Sequence, residues 1–247
     1  MLGDLVSRDE LVIATKAGLS QRRGRRVVDT SRRALMHQLD TSLKRLRTPY
    51  VDLRLVHTWS EDTPVDETLS TLEWAVNSGR ARYVGVSSYS GWQAAQAATL
   101  MSASSIPLVA NEIEYSLLKV PEHEPVPAGE ALGFGLLACS PLGRGVLTEK
   151  YRHSGPGDSR RAPGDPTATA GLTLTEESEQ VVDAVAIAAQ GMNVSSAQIA
   201  LAWVRDRPGV VAPIVGVRTT GQLRTVLASE DLELPEEIAQ ALNDISD

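Results

Sequence analysis

Short apolar runs alternate with longer amphipathic segments along this chain, and this alternation constrains the fold more than any other feature. Amphipathic segments of helical period run from about 29 to 46, 64 to 77 and 91 to 101. Thr30 or Ser31 can cap the first, and Pro64 can open the second. Strand and helix in alternation predict a βαβ series and a buried parallel sheet. The predicted strands are residues 11–16, 51–57, 82–87, 108–114, 134–140 and 210–216.

Two α/β folds compete for these six strands. A doubly wound sheet holds six comfortably, whereas a (β/α)8 barrel needs eight. The chain lacks a G-x-G-x-x-G turn after its first strand, which a dinucleotide-binding doubly wound sheet would favour. Its glycines instead follow later strands, in GVSS (85–88), SPLGRG (140–145) and IVGVR (214–218). Functional loops after successive strands are typical of barrels, so we predict a barrel that is incomplete at its start and forms one domain over residues 1–247.

Composition excludes several functional classes. The 247 residues carry a net charge of −7, so we expect no broad basic surface for nucleic acid or anionic lipid. No apolar stretch approaches the length of a membrane span. The lone cysteine, Cys139, excludes an internal disulfide and a cysteine-based zinc site, and it favours a reducing cytoplasm.

Two side chains that can carry chemistry end predicted strands. His57 ends the run YVDLRLVH, and Trp59, Glu61 and Asp62 follow it. His57 is either a catalytic imidazole at a barrel mouth or a residue that caps a strand, and Lys16 is either functional or an ordinary surface lysine. Trp59 is expected to line a substrate pocket, while the two acids fit a solvated loop. The Gly- and Pro-rich stretch 152–175 is expected to be a long loop, either a functional lid or disordered.

Six segments, in order, resemble the aldo-keto reductase family, specifically its bacterial branch related to the potassium-channel β-subunit. They are LVIATKAG (11–18), LDTSLKRLRTPYVDLRLVH (39–57), TPVDETLSTLEWAVNSGRARYVGVSSYS (63–90), EYSLL (114–118), SPLGRGVLTEKYR (140–152) and PIVGVRTTGQL (213–223). The resemblance implies a (β/α)8 TIM barrel that reduces carbonyl compounds with NADP(H) and without metal. It makes residues 11–16 the third strand, so the first two strands and their intervening helix would precede Met1. Either the reading frame was started too late, or the chain is a naturally shortened paralogue.

The resemblance also implies catalytic roles. Lys16 and His57 match the family's lysine and histidine, whereas its aspartate and its proton-donating tyrosine have no counterpart here. We therefore expect a carbonyl reductase of impaired activity acting on a small molecule. The alternative is a non-catalytic protein that binds NADP or a partner. Two open barrel edges would favour a homo-oligomer.

The remaining expected site residues are implied by the same resemblance. Ser87, Ser88 and Glu112 would face the nicotinamide carboxamide, and Cys139 replaces an aromatic residue against that ring. Arginine suits a 2′-phosphate, hence NADP rather than NAD. Arg160 would either fold over the cofactor or be a solvated loop charge. The residues expected along the phosphates and the adenosine are Ser140, Leu142, Gly143, Arg144, Lys150, Gly216, Arg218 and Gln222.

Overall fold

The computed structural model describes residues 6–22, 24–121, 124–149 and 175–246. All six predicted strands are present, and they form one parallel sheet in chain order, which confirms the α/β class. A two-stranded antiparallel hairpin, which the sequence did not predict, is added to them. In chain order the elements are β1 (Ala14–Ala17), β2 (Leu19–Arg22), β3 (Arg25–Val28), α1 (Arg32–Leu46), β4 (Val51–Val56), α2 (Val65–Asn77), β5 (Ala81–Ser87), α3 (Gly91–Ser102), β6 (Leu108–Glu114), α4 (Pro125–Leu132), β7 (Gly135–Cys139), α5 (Glu176–Met192), α6 (Ser196–Arg205), β8 (Val210–Ile214), α7 (Thr220–Leu227) and α8 (Glu236–Ser246).

The chain divides into two compact units. The first comprises residues 1–113 and 123–136, and the second comprises residues 114–122 and 137–247. That the whole chain forms a single barrel domain therefore stays a prediction. Within the described residues, no helix is long and apolar enough to cross a membrane.

The first unit is built on the parallel strands β1, β4, β5 and β6. Lys16 of β1 stands beside Leu55 of β4, and Ser87 of β5 stands beside Glu112 of β6. Main-chain pairing continues one residue past β4, because the His57 amide donates to the Ala17 carbonyl over 2.7 Å. The carboxyl ends of these strands are therefore level, and the side chains that end them share one edge of the sheet.

Helix α1 packs on this sheet because of its leucine spacing. Leu35, Leu39 and Leu43 recur every fourth residue and are all buried. Leu39 and Leu43 belong to a core cluster with Val51 of β4 and with residues of α2 and β5. Ser31, one of the two predicted caps, starts the helix, and its hydroxyl accepts from the Ala34 amide over 3.4 Å.

A hairpin emerges where β1 ends. It comprises β2 and β3, residues 19–28, and we call it the arginine hairpin. Leu19 pairs with Val28 and Gln21 with Arg26, and Gly24 in the connection has a φ of 76°. At its base the Asp29 amide donates to the Gly18 carbonyl over 2.9 Å. The φ of 96° at Gly18 lets the chain leave β1 sharply, a conformation that glycine adopts without strain.

The second unit contains β8 and α5 to α8. The rings of Tyr115 and Trp203 meet edge to face with their centroids 6.0 Å apart. The indole N–H of Trp203 donates to the Asn243 side chain over 2.8 Å, which satisfies the polar atom of this buried ring. A 3-10 turn over Gly143–Thr148 follows β7.

Candidate active site

Lys16, His57 and Glu112 meet at the carboxyl edge of the first unit's strands. The Lys16 ammonium forms a short ion pair with the Glu112 carboxylate. The Lys16 side chain is 31% exposed and that of Glu112 only 5%. A carboxylate this buried requires a cationic partner, and Lys16 supplies it. Glu112, expected to face the nicotinamide carboxamide, therefore also holds the ammonium group of Lys16.

The imidazole of His57 lies within reach of both charges. Burial lowers the pKa of His57, and the Lys16 ammonium lowers it further, while the Glu112 carboxylate partly opposes them. Arg26 of the arginine hairpin also lowers this pKa. The neutral form of His57 therefore dominates near neutral pH, and it offers a hydrogen bond rather than a full positive charge.

Ser87 and Ser88 lie at the same edge as Lys16. Ser87 is buried at the end of β5, and Ser88 is exposed with a φ of 57°. The Ser88 amide donates to the Glu112 carbonyl over 2.7 Å, so main-chain bonding also ties the end of β5 to β6. Behind them, the Asn111 amide group donates to the Tyr89 carbonyl over 3.0 Å and fixes the loop that leaves β5.

Trp59 belongs to an aromatic cluster on the loops that follow β4 and β5. Its ring meets those of Tyr89 and Trp92 edge to face, with centroids 5.2 Å and 5.5 Å away. Its buried indole nitrogen has no hydrogen-bond partner among the described residues. Tyr89 is 3% exposed, and burial raises the pKa of its phenol, whereas Trp92 is 58% exposed. The structure thus places Trp59 two residues beyond His57, beside an exposed aromatic surface that the sequence did not predict.

The SPLGRG segment of the second unit has an unusual backbone. Ser140, Gly143, Arg144 and Gly145 all have φ between 54° and 98°, and the Gly145 amide donates to the Leu142 carbonyl over 2.9 Å. A side chain on Gly143 would place its Cβ 2.6 Å from a Leu118 methyl group, and the φ of 55° at this position favours glycine.

Two neighbours of this segment carry further expected site residues. The Arg144 guanidinium lies 3.2 Å from the Glu114 carboxylate, and both side chains are partly exposed. The Cys139 carbonyl accepts from the Tyr115 amide over 3.1 Å, and the thiol side chain is half-buried. Arg144 is therefore already charge-paired, and a phosphate would compete with Glu114 for it.

Gly216, Arg218 and Gln222 are exposed around the start of α7. The Gln222 side-chain oxygen accepts from the amides of Arg218 and Thr219, over 2.7 Å and 3.3 Å. The Thr219 hydroxyl accepts from the Gln222 amide in return, which makes a capping box. Gln222 thus has a structural role that its T-x-x-Q spacing could have revealed, and its side-chain amide group remains for a ligand.

Some expected residues cannot be placed in this way. Lys150 and Arg160 lie outside the described residues, as does the expected loop up to residue 174. In the part of the chain that is described, no group of three His, Cys, Asp or Glu side chains could hold a metal ion. The cofactor and substrate roles of the individual residues stay predictions.

Comparisons with known proteins agree on one family. The Aldo/keto reductase family matches residues 1–247. L-glyceraldehyde 3-phosphate reductase of Escherichia coli O157:H7 is 37% identical over 247 residues, covering 97% of this chain and 71% of the relative. The protein of the same name from Escherichia coli strain K12 is 36% identical over 244 residues, with 97% and 67% covered. A probable voltage-gated potassium channel subunit beta of Oryza sativa subsp. japonica is 33% identical over 222 residues, with 87% and 67% covered.

Proposed function

Because the chain belongs to the aldo/keto reductase family, we propose that it is an NADPH-dependent oxidoreductase that reduces an aldehyde or a ketone to an alcohol. The observation that carries this proposal is the cluster of Lys16, His57 and Glu112 at the ends of adjoining parallel strands. It offers an ammonium group and a neutral imidazole for one oxygen atom. Groups of this kind stabilise the negative charge that develops on a carbonyl oxygen during reduction.

The residues of the chain fit the implied cofactor by the chemistry of their donors. Guanidinium groups, main-chain amides and hydroxyls are the groups that bind phosphates in proteins. We propose that Ser87 and Ser88 hold the nicotinamide carboxamide and that Arg144 and the SPLGRG backbone hold the pyrophosphate. Arg218 would hold the 2′-phosphate that distinguishes NADP from NAD. When bound, the cofactor supplies the hydride.

In the proposed reaction, Lys16 and His57 stabilise the charge that develops on the carbonyl oxygen, and water donates the proton that completes the alcohol. Lys16 contributes positive charge, and the Glu112 carboxylate holds its ammonium in place. His57, held neutral by burial and by the neighbouring cations, contributes a hydrogen bond. The aromatic surface of Trp59 and Trp92 borders the same strand ends and would exclude water from one side of the substrate.

For the substrate, we propose a short-chain aldehyde as the first candidate. The name of the 37% identical relative gives L-glyceraldehyde 3-phosphate as that protein's substrate, and small hydroxy-aldehydes therefore come first in any panel.

A second candidate is a protein that binds NADP without turnover. The observation that favours it is the Lys16 and Glu112 pair itself, because the carboxylate neutralises the charge that would stabilise an oxyanion.

One experiment separates the two candidates. NADPH binding is measured by fluorescence, and turnover is followed by the loss of NADPH absorbance over a panel of aldehydes. For a reductase, Lys16→Met lowers kcat by about a hundredfold while the affinity for NADPH stays within about twofold. Lys44→Met, which removes an exposed lysine of α1, is the matched control. Tight NADPH binding without turnover on any aldehyde would favour the second candidate, and the absence of NADPH binding would overturn both.

A further inference from the structure

The arginine hairpin concentrates positive charge in a protein whose net charge is −7. Four arginines fall within residues 22–26, and residues 17–28 contain no acidic residue at all. Arg25 and Arg26 are both exposed, and among the described residues neither forms an ion pair. An exposed cationic strand without internal partners is available to an external anion.

The place of the hairpin in the fold brings this charge to the candidate active site. The hairpin leaves the sheet at Gly18, two residues beyond Lys16, and its base is closed by the Asp29 amide on the Gly18 carbonyl. The His57 amide donates a hydrogen bond to the Ala17 carbonyl, so the first residue of the hairpin and the His57 residue lie close together at the carboxyl edge of the sheet. The effect of Arg26 on the pKa of His57 agrees with this geometry.

The two arginines of β3 lie on opposite faces of the hairpin. Neighbouring residues of a strand point to opposite faces, so the side chains of Arg25 and Arg26 point in opposite directions. Arg26 pairs with Gln21 in the ladder, and of the two arginines whose side chains are described it is the one whose charge lowers the pKa of His57. Among the described carboxylates, Glu112 is the one whose charge reaches His57, and it is already paired with Lys16. Cationic neighbours therefore outnumber anionic ones around the His57 imidazole, so its surroundings favour an anion.

We propose that Arg26 binds an anionic group of the substrate, a phosphate monoester or a carboxylate, while the carbonyl group lies at Lys16 and His57. This assignment rests on the proposed reductase function and makes it specific for anionic carbonyl compounds. A guanidinium group matches both kinds of oxyanion through paired N–H donors. Arg26 is then a residue that determines substrate specificity rather than one that takes part in hydride transfer.

The test compares two aldehydes that carry an anion with neutral ones of similar size: glyceraldehyde 3-phosphate with glyceraldehyde, and succinic semialdehyde with butyraldehyde. Arg26→Gln is expected to lower kcat/KM about tenfold or more for whichever anionic aldehyde the protein prefers, and to leave the neutral ones within about twofold. Arg25→Gln removes the same charge from the opposite face and is the matched control. The pair of aldehydes with the larger difference in kcat/KM between its charged and its neutral member identifies the preferred anion, phosphate or carboxylate. Equal losses in the two variants, or no loss in either, would overturn the proposal.

A binding measurement keeps this test independent of turnover. Inorganic phosphate is titrated into the protein at constant ionic strength, with chloride as the balancing salt, while the His57 ring signals are followed by NMR. Phosphate bound beside Arg26 offsets its charge and raises the pKa of His57 in the wild type and in Arg25→Gln, but not in Arg26→Gln. If no aldehyde is reduced yet this pattern appears, the reductase function fails and the anion site stands. The same response in all three proteins would refute the anion site.

Discussion

Replacing Glu112 by glutamine removes one charge from the cluster and keeps the shape of the side chain. The substituted amide would still accept a hydrogen bond from Lys16, but the ammonium would lose its counter-ion. Removing one partner of a fully buried pair costs about 3–5 kcal/mol, whereas an exposed pair contributes roughly 0–1 kcal/mol. Because Glu112 is 5% exposed and Lys16 is 31% exposed, water can partly solvate the freed ammonium. We therefore expect the free energy of unfolding to fall by about 1–2 kcal/mol.

The same substitution tests the electrostatics of His57. The Glu112 carboxylate raises the pKa of His57 against the opposing effects of burial and Lys16. Without that carboxylate, the pKa of His57 falls further below its ordinary value. NMR titration of the ring protons measures this shift, and a His57→Gln sample assigns the signal among the four histidines of the chain.

Glu114→Gln is the matched control, since it makes the same change two residues along β6. Glu114 pairs with Arg144, and both side chains are more than one-third exposed. Urea unfolding should therefore show a loss within roughly 1 kcal/mol for this variant. The reasoning is refuted if Glu112→Gln costs no more stability than Glu114→Gln and the His57 titration does not move.

Three further outcomes follow from described contacts. Since the pKa of His57 is lowered below 6.5 in the folded protein, the unfolded state binds more protons just below that pH. The contribution of His57 to stability should therefore be complete above pH 6.5 and be lost as the pH falls. Between roughly pH 7.5 and 5.5, urea unfolding should show a smaller loss of stability for His57→Gln than for the wild type. Gly85→Ala would bring a Cβ within 2.6 Å of both the Ala110 carbonyl oxygen and the Leu55 side chain, so a loss of about 1–3 kcal/mol is expected in thermal unfolding, and an unchanged Tm would contradict it. Leu39→Ala empties part of the α1 core and should cost about 2–5 kcal/mol by urea unfolding, against a negligible cost for alanine at exposed Lys44.

The sequence predicted the elements whose pattern is periodic. All six strands and the first three helices lie where apolar alternation and spacing placed them, to within a few residues. Helix α1 illustrates the reason. Its leucines repeat every fourth residue and form one apolar face, and in a βαβ unit such a face packs against the sheet. The arginine hairpin escaped prediction because its strands are four residues long and its centre is charged, so it shows no apolar alternation. Only the Gly24 turn marked it.

The candidate site was predictable in its strand-end positions but not in its pairings. Lys16, His57 and Glu112 were named from the sequence, yet the ion pair between residues 96 positions apart depends on strand order, which no local pattern contains. The acid Glu112 inside the apolar strand LVANEIE could have indicated that a cation approaches it, because a buried carboxylate needs a partner. The position of the arginine hairpin beside His57 likewise depends on where the chain turns at Gly18.

The hydrogen bond from the His57 amide to the Ala17 carbonyl has an evolutionary consequence. It fixes the separation between the lysine and the histidine through the polypeptide backbone, so that separation is insensitive to what the side chains around it become. Changes in the loops that follow each strand can then alter the surroundings of Lys16 and His57 without changing the separation of these two residues. A chimera that exchanges residues 19–28 for an unrelated turn of equal length should bind different ligands while Lys16 and His57 keep their separation.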